Sequence, residues 1–188
     1  MNVFDFDNTI YNGESALDFF FFYLRHDPFL LKYAPQVFHA LYRYKRGTVT
    51  VENAISTYGD KVSEYFKSMS DINTIVCQFW DKHEKNIKPF YREIQREDDL
   101  IISGSPEFSL KEICKRIGIN YYIGSVLDPD TGEFIRFCFK ENKVKAFRDI
   151  YGDSKIENFY TDSLHDLPLI EISQNAYLVK GLKIEKIK

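Results

Sequence analysis

Two aspartates stand two residues apart near the head of the chain, in Asp5-Phe6-Asp7. In an extended segment, residues i and i+2 point to the same side, so both carboxylates would face one site. Ser103-Gly104 and Asp162 each follow a short apolar run further along the chain. Carboxylate oxygens of this kind suit Mg2+, which keeps several waters and is completed by a substrate phosphate. Paired acids beside such a cation also suit covalent phosphoryl transfer. One carboxylate attacks phosphorus in line, and the other handles the leaving-group proton. Nearby cationic and amide donors would stabilise charge on the transferring oxygens. Ser103 and the Gly104 amide, just ahead of a helix N-terminus, would form a phosphate cradle, and a lysine at the start of the helix near Asn142 would complete it.

These groups can meet only if each lies at the carboxyl end of a strand, where open α/β sheets bind their ligands. Residues 1–6 read as a short buried strand, followed by loop signals at Asp7-Asn8-Thr9 and Asn12-Gly13. From residue 15 to about 89 the texture is helical. Leu17, Phe20, Phe21 and Leu24 follow helical spacing. Asp27-Pro28 reads as an N-cap with proline in the first turn, opening a helix to about residue 46 that Pro35 would kink or split and Gly47 would end. Thr50 caps the next helix, whose Val51, Ala54, Ile55, Tyr58, Val62, Tyr65 and Phe66 form an apolar stripe. Ile72, Ile75, Val76 and Phe79 form another after Asp71.

Beyond Pro89, strands and helices alternate. Leu100-Ile101-Ile102 is a strand ending at Ser103-Gly104-Ser105, and Pro106 starts a helix that Gly118 stops. A strand at 121–127 is followed by a turn at Asp130-Thr131-Gly132. A helix from about 142 to 151 ends at Gly152, and a strand at 156–160 ends at Thr161-Asp162. A helix around 164–172 precedes a last strand near 176–179. This alternation predicts an α/β fold with a parallel sheet, interrupted after its first strand by the helical block.

The composition excludes several classes. The 188 residues suit one domain, or one core with a modest insertion. With 44% hydrophobic and 28% charged residues, a packed core is expected and disorder is not. A net charge of −3 offers no general attraction to nucleic acid or anionic lipid. The apolar run at 16–24 is broken by Asp18 and is too short to span a bilayer, so no stable membrane insertion is expected. Cys77, Cys114 and Cys138 are odd in number and widely spaced, and no secretory segment is visible, which predicts reduced thiols in a cytoplasmic protein. The sequence carries no signal for an oligomeric state.

Asp5-Phe6-Asp7-Asn8-Thr9 resembles the DxDxT signature of the haloacid dehalogenase superfamily of phosphatases. Ser103 resembles its second motif, Lys143 its third, and Asp162-Ser163-Leu164-His165-Asp166 its fourth, DSxxD. The phosphoserine-phosphatase-like branch is the most similar, and the resemblance extends over the whole chain. It implies a Rossmann-like core with helices on both faces, formed by residues 1–13 and 90–188, under an inserted α-helical cap at 14–89. It implies Asp5 as nucleophile, and Asp7 as general acid and then general base. It implies Mg2+ held by the Asp5 carboxylate, the Asp7 backbone carbonyl and Asp162. Thr9 would buttress the loop, Ser103, Gly104 and Lys143 would hold the phosphoryl group, and Asp166 would orient Lys143 or a metal-bound water. Asn8 replaces a common glycine, and Lys140 stands where relatives often carry glycine. Lys140 and Lys145 flank Lys143, and spacing to the helix start favours Lys143.

Other residues admit two readings. Glu14 follows Asp5 at the spacing where phosphoserine phosphatases contact the substrate's amino group, and it equally suits a helix N-terminus. The arginine that would bind a serine carboxylate is absent from Ser56-Thr57-Tyr58, which speaks against phosphoserine itself. His165 falls within the fourth motif, as a substrate-edge or a structural residue. His26, His39 and His83 lack partners at metal-ligand spacing. The aromatic run Phe19-Phe20-Phe21-Phe22-Tyr23 reads first as a helix buried on two sides, and second as the wall of an apolar pocket or a contact with a membrane surface. The expected substrate is a small phosphorylated metabolite. Transfer to an acceptor other than water and a silent phosphometabolite-binding module are the alternatives.

Overall fold

The computed structural model describes residues 1–35, 39, 43, 64, 71–128, 131 and 133–188. Beyond residue 35, the expected helix reaching residue 46 lies outside the described residues, as do the Thr50 helix with its stripe and the Ser56-Thr57-Tyr58 stretch, apart from the single positions above. So do Asp130 and Gly132 of the expected turn.

Seven strands form one sheet in the order β4-β3-β2-β1-β5-β6-β7. They are β1 (Asn2–Phe4), β2 (Leu100–Pro106), β3 (Tyr121–Leu127), β4 (Phe134–Arg136), β5 (Ile156–Thr161), β6 (Ser173–Lys180) and β7 (Lys183–Lys186). The five central strands pair in parallel, and β4 and β7 close the edges antiparallel. The expected parallel sheet is therefore present, with two short edge strands added.

Alternation along the strands divides the core. Phe4 and Ile101 face one apolar layer, while Val3, Leu100 and Ile102 face the other. Helix α4 (Glu107–Ile117) buries Leu110, Ile113 and Ile117 in the first layer. Helices α5 (Glu141–Tyr151) and α6 (Leu167–Ile172) bury Ala146, Phe147, Leu169 and Ile170 in the second. Helices thus cover both faces. Phe4, Tyr160 and Tyr177 stack across β1, β5 and β6, with centroids 4.6 and 4.7 Å apart. This ladder fixes the register and brings the ends of β1 and β5 side by side.

Between β1 and β2, the described residues form α1 (Ser15–Tyr23), a 3-10 turn (Pro28–Tyr33), α2 (Ile72–His83) and α3 (Pro89–Ile94). The 3-10 turn replaces the start of the expected α-helix. Pro35 removes the N–H that would close an α-turn onto Leu31. Of the aromatic run, Phe19, Phe20, Phe22 and Tyr23 are buried and Phe21 is exposed. Phe19 and Phe22 pack on Phe79 of α2. These helices share one continuous apolar cluster with β1, β2 and α4. Trp80 reinforces the contact by donating from Nε1 to the Ser109 carbonyl at 3.0 Å.

The two connections into this block pair with each other. Tyr11 bridges Ile87 antiparallel, Asn12 N–H donates to Asn86 O at 2.9 Å, and Lys88 N–H donates to Ile10 O at 2.8 Å. Among the described residues, no helix is long and apolar enough to cross a membrane. Cys77, Cys114 and Cys138 are free thiols.

Candidate active site

Strand β1 ends at Phe4, earlier than the sequence suggests. Asp5 N–H still donates to Tyr160 O on β5 at 2.8 Å, but the chain then turns, with Ile10 and Tyr11 N–H both closing on Phe6 O. Asn8 takes a left-handed φ of 57°, a conformation asparagine tolerates better than most residues. Asp7 therefore lies in a turn, and the two carboxylates take different partners.

Asp5 turns toward α5. Its Oδ1 accepts from Lys143 Nζ at 2.7 Å and its Oδ2 from Thr9 Oγ1 at 3.1 Å. The same ammonium donates to Asp166 Oδ2 at 2.8 Å, and Thr161 Oγ1 donates to that oxygen at 3.0 Å. Asp5, Thr9, Lys143, Thr161 and Asp166 are all buried. Burial works against the Lys143 charge, but the Asp5 and Asp166 carboxylates hold its pKa above the ordinary lysine range. Of the three candidate lysines, only Lys143 reaches these acids. Lys140 Nζ lies over the Phe139 ring, and the exposed Lys145 pairs with Asp149.

Asp7 turns toward β2. Its Oδ1 accepts the N–H of Ser15, the first residue of α1, at 2.6 Å. Its Oδ2 accepts Ser105 Oγ at 2.7 Å and Ser103 Oγ at 3.4 Å. Ser103 Oγ also accepts the Ser105 N–H at 3.0 Å. The β2–β3 register is irregular between Ile102 and Pro106, and such bulges re-aim side chains at strand ends. Gly124 lets β3 approach this bend closely. A Cβ there would meet Ser105 O and Leu110 Cδ1 at 2.8 Å.

Glu14 is tied to the same turn, its Oε1 accepting from Asn8 Nδ2 at 2.7 Å. Asp162 directly follows β5, at the same end of the sheet as Asp5. His165 is exposed, with its N–H donating to Ser163 Oγ.

The electrostatics bear on a cation. Among the described residues, no three His, Cys, Asp or Glu side chains gather into a ready cage. The expected set needs only two carboxylates, Asp5 and Asp162, with the Asp7 carbonyl. Burial pushes the Asp5 carboxyl up to about 7 against the pull of Lys143, and Asp166 and Asp162 add to the rise. Burial and then the Asp166 carboxylate raise Asp162 as well. Acids crowded in this way, with oxygen donors and few opposing charges, fit a hard divalent cation that would relieve their repulsion.

A model of haloacid dehalogenase-like hydrolases matches residues 3–171. The chain belongs to that family. The match includes each acid, hydroxyl and lysine described above. No sequence among curated proteins matches the chain. Solved structures of this hydrolase's fold include a protein of unknown function from Bordetella pertussis Tohama I. It is 16% identical, with a TM-score of 0.76, over 94% of this chain and 87% of that one. A phosphoserine phosphohydrolase-like protein from Francisella tularensis subsp. tularensis SCHU S4 is 16% identical at 0.58, over 94% and 86%. A phospho-aspartyl intermediate analogue of phosphoserine phosphatase is 14% identical at 0.53, over 93% and 83%.

Four further residues contacting the candidate site are not singled out by the sequence. Ser105 was visible in principle, since it stands two residues after Ser103 in an extended run. Thr161 directly precedes Asp162. Ser15 acts through its backbone, which no side-chain pattern announces. Lys88 is buried, and its ammonium donates to the Asn8 carbonyl. Lysine before proline ordinarily reads as surface.

Proposed function

We propose that the protein is a Mg2+-dependent phosphatase that hydrolyses a small phosphate monoester through an aspartyl-phosphate on Asp5. The observation that carries this reading is the buried Asp5–Lys143–Asp166 chain at the ends of β1 and β5. An acid held by hydrogen bonds at a strand end, with a cation beside it, is equipped to attack a phosphoryl group.

Asp5 Oδ forms the new bond to phosphorus as the ester P–O bond breaks. Asp7 gives a proton to the departing oxygen. Water then attacks phosphorus, Asp7 takes its proton, and the Asp5–phosphorus bond breaks to release phosphate. Ser15 N–H and Ser105 Oγ keep Asp7 in place through both proton transfers. Lys143 neutralises charge on the phosphoryl oxygens, with Ser103 and the Gly104 amide at the other side. Asp166 and Thr161 keep Lys143 in position. Asp5, the Asp7 carbonyl and Asp162 would hold Mg2+, which supplies charge neutralisation of the phosphoryl oxygens when bound.

Residues 14–89 form the cap in this reading, with the paired connections at Tyr11–Ile87 as its base. A lid there would exclude water and bulky esters. Glu14, held beside the Asn8 turn, would favour an amine-bearing leaving group.

Phosphorylated amino acids, amino alcohols, sugars and nucleotides should be assayed with Mg2+. Turnover of small esters, lost in Asp5→Asn and weakened together with Mg2+ binding in Asp162→Asn, is the expected result. Glu14→Gln should raise KM for amine-bearing members alone. Brisk hydrolysis of a folded phosphoprotein, or full activity in Asp5→Asn, would refute the reading.

A further inference from the structure

Lysine is seldom fully buried without an ion-pair partner, because desolvating the ammonium is costly. Lys88 is 4% exposed, and among the described residues its ammonium makes no ion pair. Burial lowers its pKa, opposed by the Asp162 carboxylate. An apolar side chain would fill the same space without that cost. What the ammonium does is donate to the backbone carbonyl of Asn8.

Asn8 is the hinge of the turn between the two catalytic acids and the rest of the loop. Its φ of 57° is held from three directions. Its N–H donates to Gly13 O at 3.0 Å, its side chain donates to Glu14, and its carbonyl receives Lys88. Any relaxation at Asn8 rotates the peptide that carries the Asp7 carbonyl. Lys88 itself is anchored on the second connection, where its N–H donates to Ile10 O and Pro89 fixes the following residue.

We propose that Lys88 is a positioning residue for phosphoryl transfer: by clamping the Asn8 carbonyl it holds the Asp7–Asn8 peptide in its working geometry. The inference rests on the phosphatase reading above. In this role Lys88 acts through the Asn8 carbonyl rather than on the reacting groups. Its contribution falls on the chemical step and on metal retention, because the Asp7 carbonyl sits one peptide from the clamped group. The anchoring also makes the turn sensitive to the connection between the helical block and β2.

Lys88→Met is close in length and lacks the ammonium. With p-nitrophenyl phosphate and Mg2+, it should lower kcat about 10- to 100-fold and raise the Mg2+ concentration for half activation by a similar factor. KM for the ester should stay within about threefold. Thermal midpoint should not fall in proportion, since a buried charge has been removed. Lys88→Gln keeps a donor without the charge and decides the matter alone should the methionine variant fail to fold. Its kcat should also fall about tenfold. Wild-type kcat and Mg2+ response in the folded variants would overturn the inference, as would a lowered midpoint with unchanged kinetics. Absence of Mg2+-dependent hydrolysis in the wild type would instead sink the phosphatase reading, and the inference with it.

Discussion

Lys143 Nζ lies 2.7 Å from Asp5 Oδ1, although 138 residues separate the two in the chain. The contact joins the end of β1 to the first turn of α5. It is continued to Asp166, so one ammonium faces two buried carboxylates.

Lys143→Met should leave both acids uncompensated. Removing one partner from a buried ionic group costs about 3–5 kcal/mol, and the loss should grow as pH rises through about 7, where Asp5 ionises. Turnover should vanish even below the melting range. Lys145→Met should melt and turn over as the wild type does. Thermal melts and initial rates across pH check this, and a Lys143→Met enzyme of normal rate would contradict it.

Ser105→Ala should loosen Asp7. A hydrogen bond to a charged group contributes about 1.5–3 kcal/mol. The proton transfer to an alkoxide should slow by roughly tenfold or more. For p-nitrophenyl phosphate, whose leaving group needs no proton, the loss should be smaller. Equal losses for both esters would separate Ser105 from the proton transfer proposed for Asp7.

Lys140 holds a φ of 47° directly before α5. Any residue with a Cβ is strained there, and glycine is not. Lys140→Gly should therefore leave activity intact and raise the thermal midpoint, or at least not lower it, with about 1 kcal/mol of relieved strain set against the added entropy of the unfolded chain. A clear drop in midpoint would show that Lys140 contributes through its side chain.

Much of this arrangement was legible in the sequence, and the reasons differ residue by residue. Apolar runs such as Leu100-Ile101-Ile102 announce central strands because parallel strands are covered on both faces. The edge strands left no such mark. β7 is four exposed residues, Lys-Ile-Glu-Lys, and β4 has only three. Asp5, Asp7, Asp162 and Lys143 were readable as candidates because their types and order match a chemistry. Ser105, Thr161 and Lys88 were not, because a hydroxyl or a lone lysine acquires its role only from a partner far along the chain. The two-apart rule for Asp5 and Asp7 failed in detail, since the chain leaves its extended form after Asp5 and sends the carboxylates to different elements.

Asp99 gives a pH signature independent of catalysis. It is fully buried, and its Oδ2 accepts the Arg96 N–H at 2.9 Å. Burial pushes its pKa up to about 6. The folded chain thus binds this proton more tightly than the unfolded one. The stability it contributes is present at low pH and is lost as pH rises from the unfolded carboxyl range, about 3.9, through about 6. Asp99→Asn removes that loss. The variant's midpoint should exceed the wild type's by a few degrees near pH 8, at about 2–4 °C per kcal/mol, and the gap should narrow on acidification and close below about pH 3.9. A gap independent of pH would assign the effect elsewhere.

The most direct test of Asp5 as nucleophile is chemical trapping. During turnover of a small phosphate monoester with Mg2+, quenching and reduction with borohydride converts an aspartyl-phosphate to homoserine, which peptide mass analysis locates. Homoserine is expected at position 5 in the wild type and none in Asp5→Asn. Reduction at another acid, or phosphate release by Asp5→Asn at the wild-type rate, would contradict it.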